Sequence, residues 1–329
     1  MKHSTVAFVH CIENKHERMY ERQAWLFTET FKHTNSELYN ACRHYFLQPT
    51  EHDIDQKTID YFDNQKINFI QNSQLNQKQL NATVNYTNIC VTTAYFSEQL
   101  NEEYLCWSDT DVLWLGKTKG EFFGHTDKPV INIFPVTKSP TKNFSLQEYD
   151  AFDTRFQLDE IYQEHFKPYL DPVYQVDQLT HYANTWFIYC KTKHPFWKEW
   201  KELTFLLIDI IHKNQNKYIN HHIECYCEEI AASILYSLNP DNFTLLEDFF
   251  GEVFVMAETG NPGFDNFSTQ KVLYHYTGLF EKPYAAIDEN KDPARIVTEF
   301  LMQVTTRDVF DFDIKSAGAM CSNYLNSNK

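Results

Sequence analysis

Glycine is scarce in this chain: only 8 of its 329 residues are glycine, against a usual share of about 7%. Phosphate-binding loops depend on glycine because their backbone N–H groups must approach the ligand closely. The glycines form no G-x-G-x-x-G pattern, and Gly116-Lys117-Thr118 does not complete a P-loop because Asp111 stands where the first glycine belongs. We therefore expect neither Rossmann-type dinucleotide binding nor P-loop chemistry.

Long apolar runs and closely spaced cysteine pairs are also missing. No stretch reaches the roughly 20 consecutive apolar residues that a membrane helix needs. No apolar run follows Met1 as it would in a secretory signal peptide. The 8 cysteines contain no C-x-x-C pair. These features predict a cytoplasmic protein with reduced thiols and no membrane span.

Basic residues are outnumbered: 29 Lys and Arg stand against 45 Asp and Glu, which gives a formal net charge of −16. A surface of this sign repels phosphate backbones and anionic lipids, so nucleic-acid binding is not expected. Aromatic residues, in contrast, are abundant at 16% of the chain. They suit a large core, and they also suit a site that stacks on sugar rings or bases.

Short apolar runs alternate with helical patterns along the chain, and the runs of β character predict strands at 5–10, 38–44, 67–70, 104–107, 130–134, 185–189, 253–256 and 272–275. Apolar residues at three- and four-residue steps predict helices at 14–33, 86–100, 196–211 and 218–238. This alternation predicts an α/β fold with a mostly parallel central sheet flanked by helices. Ligands of such sheets bind at the carboxyl ends of the strands.

The sharpest local pattern is a pair of aspartates at the end of an apolar strand. Asp109 and Asp111 stand one residue apart within the segment Y-L-C-W-S-D-T-D-V-L-W-L. Two carboxylates in this position can converge on one hard divalent cation, Mn²⁺ or Mg²⁺, which keeps coordination positions open for a diphosphate. Such a cation would neutralise a diphosphate without a glycine loop and would act as a Lewis acid on the leaving group. A solvated turn is the alternative, because D-x-D also occurs by chance.

The segment 104–115 resembles the D-x-D environment of metal-dependent glycosyltransferases of the GT-A fold. Downstream, the run from His275 to Tyr284, H-Y-T-G-L-F-E-K-P-Y, is similar to the H-x-x-G-x-x-K-P-W element of the glycogenin-like (family 8) retaining glycosyltransferases. Here the lysine comes one residue later and a tyrosine replaces the tryptophan. The resemblance implies that His275 is the third metal ligand, with Asp109 contacting both metal and cofactor, and that Gly278 and Lys282 contact the diphosphate.

Two intermediate segments follow the same family order. The segment 181–187 resembles the family's substrate-contacting N-x-G strand, which implies that Asn184 and Trp186 contact the sugar or acceptor, with Trp186 in the place of the glycine. Trp186 would fill part of the pocket or form a stacking platform. Glu228 and Glu229 stand where the family places an acidic or amide pair. A carboxylate there would deprotonate an acceptor hydroxyl or stabilise an oxocarbenium-like centre, and a solvated helix face is the alternative.

The chain departs from the family pattern at two places. The family's nucleotide loop carries an acid directly after the first strand, whereas this chain reads V-H-C-I-E-N at 9–14, which leaves Glu13 or Asn14 as the counterpart. Family members also place an arginine on the helix before the D-x-D, and residues 82–103 contain neither Lys nor Arg. The contacts to the donor sugar must therefore differ from those of the family.

Together these patterns predict a single GT-A-type domain over 1–285, with a nucleotide-binding half at about 1–120, an acceptor half at about 121–285 and a helical extension at 286–329. The expected function is a metal-dependent glycosyltransferase, a hexosyl- or pentosyltransferase, that uses Mn²⁺ or Mg²⁺. It would move a sugar from a nucleotide-sugar donor, expected to be a UDP-sugar, to a hydroxyl of a glycan, protein, lipid or small molecule. The C-terminal motif favours retention of configuration, and the glutamate pair leaves inversion open. The sequence does not fix the oligomeric state.

Three other interpretations compete with this one. A haloacid-dehalogenase-like phosphatase would use Asp109 as nucleophile and Asp111 as acid, but its motif normally lies on the first strand and needs a downstream G-D-x-x-x-D, which is missing. A zinc site is a second alternative, although four neighbouring side chains cannot all converge from one regular helix; its ligands would be His221, His222, Cys225 and Cys227. A non-catalytic carbohydrate-binding protein would suit the aromatic content but would not need the acid pair together with His275 and Lys282.

Overall fold

A computed structural model describes part of the chain, namely residues 5–12, 19–50, 54–73, 75, 87–114, 123–135, 158–214, 223, 226–250, 254–256 and 273–275. Backbone contacts divide the chain into two compact units, each built from three segments. The first unit comprises Met1–Glu21, Ala41–Asp109 and Phe123–Phe249. The second comprises Arg22–Asn40, Thr110–Phe122 and Phe250–Lys329. The domain boundaries expected from the sequence stay a prediction, and the expected extension at 286–329 lies outside the described residues.

The central sheet of the first unit has seven strands within the described ranges. Their spatial order is β3 (Asn68–Gln71), β2 (Arg43–Gln48), β1 (Val6–Cys11), β4 (Tyr104–Ser108), β7 (His181–Lys191), β6 (Val130–Pro135) and β8 (Thr244–Leu245). Strand β1 pairs in parallel with β2 and β4, β2 pairs in parallel with β3, and β6 pairs in parallel with β8. Strand β7 runs antiparallel to β4 and β6. The expected α/β fold with a mostly parallel central sheet is confirmed.

Eight α-helices are described: α1 (Met19–Thr34), α2 (Ser36–Ala41), α3 (Gln56–Gln65), α4 (Thr87–Gln99), α5 (Leu158–Ile161), α6 (Phe196–Asn214), α7 (Cys227–Leu238) and α8 (Leu246–Phe250). Helix α5 continues into a π-helical turn at Tyr162–Phe166, and 3₁₀ turns lie at Lys167–Tyr169, Pro172–Tyr174 and Pro240–Asn242. Helices α4, α6 and α7 pack on one another, α4 also packs on β1, and α7 packs on β7. Helices therefore flank the sheet. None of the described helices combines the length and apolar character that crossing a lipid bilayer requires.

The continuous apolar runs predict the central strands correctly because those strands are buried on both faces. All five residues of β4 are buried, as are the first five of β1. The strand expected at 38–44 is wrong. Ser36–Ala41 forms α2, where Tyr39 packs edge-on against Phe31 with ring centroids 5.5 Å apart. The strand begins later, at Arg43. A short apolar run cannot distinguish a helix from a strand by periodicity alone.

The second unit contains a small sheet formed by β5 (Val112–Trp114), β10 (Leu273–His275) and β9 (Phe254–Met256), in that spatial order. Strand β10 runs antiparallel to β5 and parallel to β9. Trp114 anchors this sheet to α1: its ring stacks on Phe31 with centroids 3.9 Å apart and planes 2° from parallel, and its backbone N–H donates to Thr30 Oγ1 at 3.3 Å. The sheet thus packs against α1 through an aromatic contact.

Candidate active site

Asp109 lies directly after β4, at the carboxyl end of a central strand, which is where ligands of parallel sheets bind. Its backbone N–H donates to the carbonyl of Trp186 at 2.8 Å. The indole Nε1–H of Trp107 donates to Asp109 Oδ1 at 3.1 Å, and the Ser108 hydroxyl donates to the Asp109 carbonyl at 3.0 Å. Both the backbone and the carboxylate of Asp109 are therefore held in place.

A bulge in β7 brings Trp186 to this position. Ile131 of β6 pairs with Ile188 of β7, but the next residue of β6, Asn132, pairs with Asn184. Residues 185–187 of β7 therefore have no partner on β6 and form the bulge. On the other side of β7 the ladder with β4 continues as far as Ser108. Bulges concentrate next to active sites because they redirect side chains. Of the sequence-predicted residues, Asn184 thus borders the bulge and Trp186 lies within it, where its carbonyl accepts the N–H of Asp109.

Both predicted substrate contacts on β7 are buried. Asn184 is 2% exposed, and its Oδ1 accepts the backbone N–H of Trp186 at 3.2 Å. Trp186 is 1% exposed, and its ring centroid lies 5.7 Å from that of Phe187. Of the two roles open to Trp186, this burial fits the filling of space better than an exposed stacking platform. Its contact with Asp109 is made by the backbone.

Glu228 and Glu229 lie in the first turn of α7, and neither occupies a solvated helix face, since they are 3% and 9% exposed. The indole N–H of Trp200 donates to the carbonyl of Glu228 at 2.8 Å. Ser233 ties the same helix to β7: its hydroxyl donates to the Glu229 carbonyl at 2.7 Å and accepts the N–H of Ala183 at 2.8 Å. These bonds hold the start of α7 beside the strand that carries Asn184.

The carboxyl of Glu228 is buried at an energetic cost. Burial raises the pKa of Glu228 well above its usual range, and the charges of Glu229 and Asp109 raise it further. No hydrogen-bond partner for its Oε2 is found among the described residues. A buried carboxyl without a compensating positive charge holds its proton more tightly. Burial combined with specific charged neighbours makes Glu228 a functional-site candidate.

His10, near the end of β1, is a further residue of this region that sequence reasoning does not single out. It is fully buried, its Nδ1–H donates to the carbonyl of Ser108 at 2.8 Å, and its ring stacks on Phe46 at 4.6 Å. A carbonyl can only accept, so Nδ1 carries the proton. Burial lowers the pKa of His10 to about 3, against the opposing effect of the Ser108 bond. The available signal is its place at the end of the first strand, directly before the segment in which the resembled family carries its nucleotide loop.

We expect His10 to make stability depend on pH. Because its pKa falls from 6.5 to about 3 on folding, the unfolded chain binds more protons within that window. The contribution of His10 to the free energy of unfolding is fully present above its unfolded pKa. It declines as the pH falls, by at most about 1.4 kcal/mol per pH unit. His10→Asn keeps an N–H donor but does not titrate. Urea unfolding should therefore show a flatter pH profile for this variant.

The matched control for this measurement is His125→Asn, since the His125 side chain is 76% exposed. Its profile should follow the wild type. An equally steep decline in His10→Asn would show that another group causes the pH dependence.

Asp111 and His275 are brought to neighbouring positions within the second unit. The pairing of β5 with β10 places His275 opposite Val112, the residue directly after Asp111. Thr110 Oγ1 donates to Gln23 Oε1 of α1 at 3.3 Å, which fixes the residue between the two aspartates. The backbone of His275 is described, and its side chain is not. Asp111 thus directly precedes the strand whose first residue pairs with His275, although the two lie far apart in the chain.

The expected metal ligands Asp109, Asp111 and His275 supply two carboxylates and an imidazole, a donor set that suits Mn²⁺ or Mg²⁺. Among the described side chains, no three His, Cys, Asp or Glu groups are close enough to hold a metal ion. The side chain of His275 is not among the described side chains. Gly278 and Lys282, expected at the diphosphate, lie outside the described residues. The site assignment therefore stays a prediction.

Comparison with known proteins adds little to this geometry. No protein-family model matches the chain, and no curated protein matches it. Matching solved structures include two crystal structures of the glycosyltransferase GlyE from Streptococcus pneumoniae TIGR4, one of them the apo form. Their TM-scores are 0.48 and 0.46, with 12% and 13% identity over 98% of this chain. The chain spans 63% of the length of these structures.

Proposed function

We propose that the chain is a metal-dependent glycosyltransferase of the GT-A type that transfers a sugar from a UDP-sugar to an acceptor hydroxyl, with retention of configuration favoured. The observation that carries this proposal is the placement of two carboxyls: Asp109 follows the carboxyl end of β4, and Glu228 lies buried in the first turn of α7, which packs on the neighbouring strand β7. The carboxyl of Asp109 is oriented beside the bulge of β7, and the carboxyl of Glu228 is buried although burial disfavours its charged form. Groups kept in an unfavourable environment are typical of active sites.

In this proposal Asp109, Asp111 and His275 bind Mn²⁺ or Mg²⁺. The donor set fits these cations, and the pairing of β5 with β10 supports the participation of His275. The bound ion would neutralise the donor diphosphate and stabilise it as a leaving group. Gly278 and Lys282 would contact the same diphosphate, glycine by close backbone approach and lysine by charge.

The transfer forms a bond between the acceptor oxygen and the anomeric carbon, while the bond from that carbon to the diphosphate breaks and its electron pair leaves with the diphosphate. The proton of the acceptor hydroxyl must go to a base. Glu228 serves the reacting centre in one of two ways: protonated, it donates a hydrogen bond, and deprotonated, it accepts a proton or stabilises positive charge. Asn184 would contact the sugar or acceptor, and its Oδ1 accepts the backbone N–H of Trp186.

A thermal-shift screen of UDP-, GDP- and CDP-sugars, with and without Mn²⁺, tests the proposal. We expect a UDP-sugar to raise Tm only with Mn²⁺, because in the proposed site the cation neutralises the donor diphosphate. A ligand present at 100 times its Kd stabilises the folded state by about 2.7 kcal/mol. Slow Mn²⁺-dependent hydrolysis of the same donor should accompany the shift. The proposal fails if no nucleotide sugar binds in the presence of Mn²⁺.

The same preparation distinguishes the competing functions. Turnover of p-nitrophenyl phosphate would instead favour the phosphatase. Binding of free sugars without any nucleotide would favour a carbohydrate-binding protein.

A further inference from the structure

Trp107 is a buried strand residue whose indole nitrogen contacts the aspartate at the end of the same strand. It is 2% exposed, and its backbone is fixed on both sides, by Val9 of β1 and Ile188 of β7. Side chains two residues apart lie on the same face of a strand, which is how Trp107 and Asp109 meet. The donor therefore stands on a rigid element of the central sheet.

The partner of this indole differs from those of two other buried tryptophans. Trp197 donates to the carbonyl of Lys191 at 3.1 Å, and Trp200 donates to the carbonyl of Glu228 at 2.8 Å. Both bonds join backbone to side chain and tie helix α6 to its neighbours. Trp107 donates instead to a carboxylate oxygen, at 3.1 Å. A hydrogen bond to a charged acceptor is stronger than one between neutral groups, so this bond has a larger effect on side-chain orientation.

We propose that Trp107 is a positioning residue that fixes the carboxylate of Asp109 for divalent-cation binding. This inference rests on the proposed function, which assigns Asp109 as a metal ligand. The backbone of Asp109 is already fixed by its bond to the Trp186 carbonyl. The remaining freedom lies in the side-chain torsions, and the indole N–H restricts them. A ligand ordered in advance loses less conformational entropy when the cation binds.

The test measures Mn²⁺ affinity directly, from the electron paramagnetic resonance signal of free Mn²⁺, in the wild type, Trp107→Phe and Trp197→Phe. Removal of a hydrogen-bond donor to a metal ligand typically weakens metal affinity by about 10- to 100-fold, so the Kd of Trp107→Phe should rise by at least about 10-fold. Trp197→Phe deletes the same atoms from a fully buried indole and should leave the Kd within about two-fold of the wild type.

A second readout separates positioning from general damage. In Trp107→Phe, the Mn²⁺ concentration for half-maximal activity should rise, while kcat at saturating Mn²⁺ stays close to the wild type. The Tm of the two variants should fall by similar amounts, because both substitutions remove the same volume from buried positions. A purely structural role for Trp107 would lower Tm without moving the Kd for Mn²⁺.

The outcomes distinguish this inference from the proposed function. A wild type that does not bind Mn²⁺ overturns both. A wild type that binds Mn²⁺, with Trp107→Phe binding equally well, overturns the role of Trp107 and leaves the proposed function intact. If Trp107→Phe does not fold, 3-benzothienylalanine at position 107 keeps the ring size and replaces the N–H by sulfur. The same rise in Kd is then expected, and an unchanged Kd again overturns the inference.

Discussion

Asp111→Ala is expected to abolish both Mn²⁺-dependent nucleotide binding and sugar transfer. In the proposed site, removal of one of two carboxylate ligands would deprive the cation of charge and of a coordinating oxygen, and such an ion would supply several kcal/mol of transition-state stabilisation. A loss of about 4 kcal/mol lowers kcat/KM by about 10³-fold. Initial rates of nucleotide release from the donor identified by the thermal-shift screen measure this effect.

The fold provides a matched control for that experiment. Asp127 is an exposed aspartate whose carboxylate is ion-paired with Lys191. Surface ion pairs contribute little to stability, so Asp127→Ala should keep both its Tm and its activity. Asp111 is itself only partly buried, and the Tm of Asp111→Ala without ligands should stay near that of the wild type. Full activity in Asp111→Ala would refute the proposed mechanism.

Glu228→Gln is expected to make the protein more stable and less active at neutral pH. The pKa of Glu228 is raised in the folded state, first by burial. The contribution of protonated Glu228 to the free energy of unfolding is fully present below the unfolded pKa of this carboxyl. It is lost as the pH rises through the folded pKa. Glutamine has the same shape and cannot ionise, so it avoids this loss. Each kcal/mol of relief raises Tm by about 2–4 °C in a domain of about 150–250 residues, and less in a larger one.

The activity of the same variant should fall by about 10²- to 10⁴-fold, the usual contribution of a general acid or base. The gain in Tm should shrink towards low pH, since Glu228 is then protonated in both states. Differential scanning calorimetry at several pH values, combined with transfer rates, measures both effects. A variant with unchanged activity and lower Tm at neutral pH would contradict the assignment of Glu228 to the reacting centre.

Glu102 is the appropriate comparison, because it is also buried, at 6% exposure, but is paired. Arg43 Nη1 lies 2.9 Å from its Oε1, and the Tyr45 hydroxyl donates to the same oxygen at 2.9 Å. Glu102→Gln should therefore lose stability and keep its activity. Opposite changes in Tm for two buried glutamates would separate a structural carboxyl from a functional one.

The sequence predicts those elements whose physical signal is local. Strands β1 and β4 are continuous apolar runs because both of their faces are buried. Helix α4 is found where the three- and four-residue steps predict it, although its burial extends beyond one face to polar residues such as Asn88 and Thr92. Helix α2 is too short for its hydrophobic periodicity to distinguish a helix from a strand. In the folded chain its Tyr39 packs against Phe31 of α1. Tertiary context of this kind overrides local preference.

The candidate site likewise has features that a local sequence pattern indicates and features that only long-range contacts produce. The D-x-D pattern can be recognised because both aspartates lie in one short segment. The bonds of His10 to Ser108 and of Asp109 to Trp186 join residues that are far apart in the chain, so no local pattern indicates them. The burial of Glu228 is equally hidden, because glutamates in the first turn of a helix are usually solvated.

The bulge in β7 has a consequence for which substitutions this chain can accept. Position 186 contributes its carbonyl oxygen to Asp109, and every amino acid carries that atom. Another side chain that fills the same buried space at position 186 could therefore replace the indole while the backbone bond to Asp109 is kept. The packing beside β7 and the position of Asp109 would then be able to change independently.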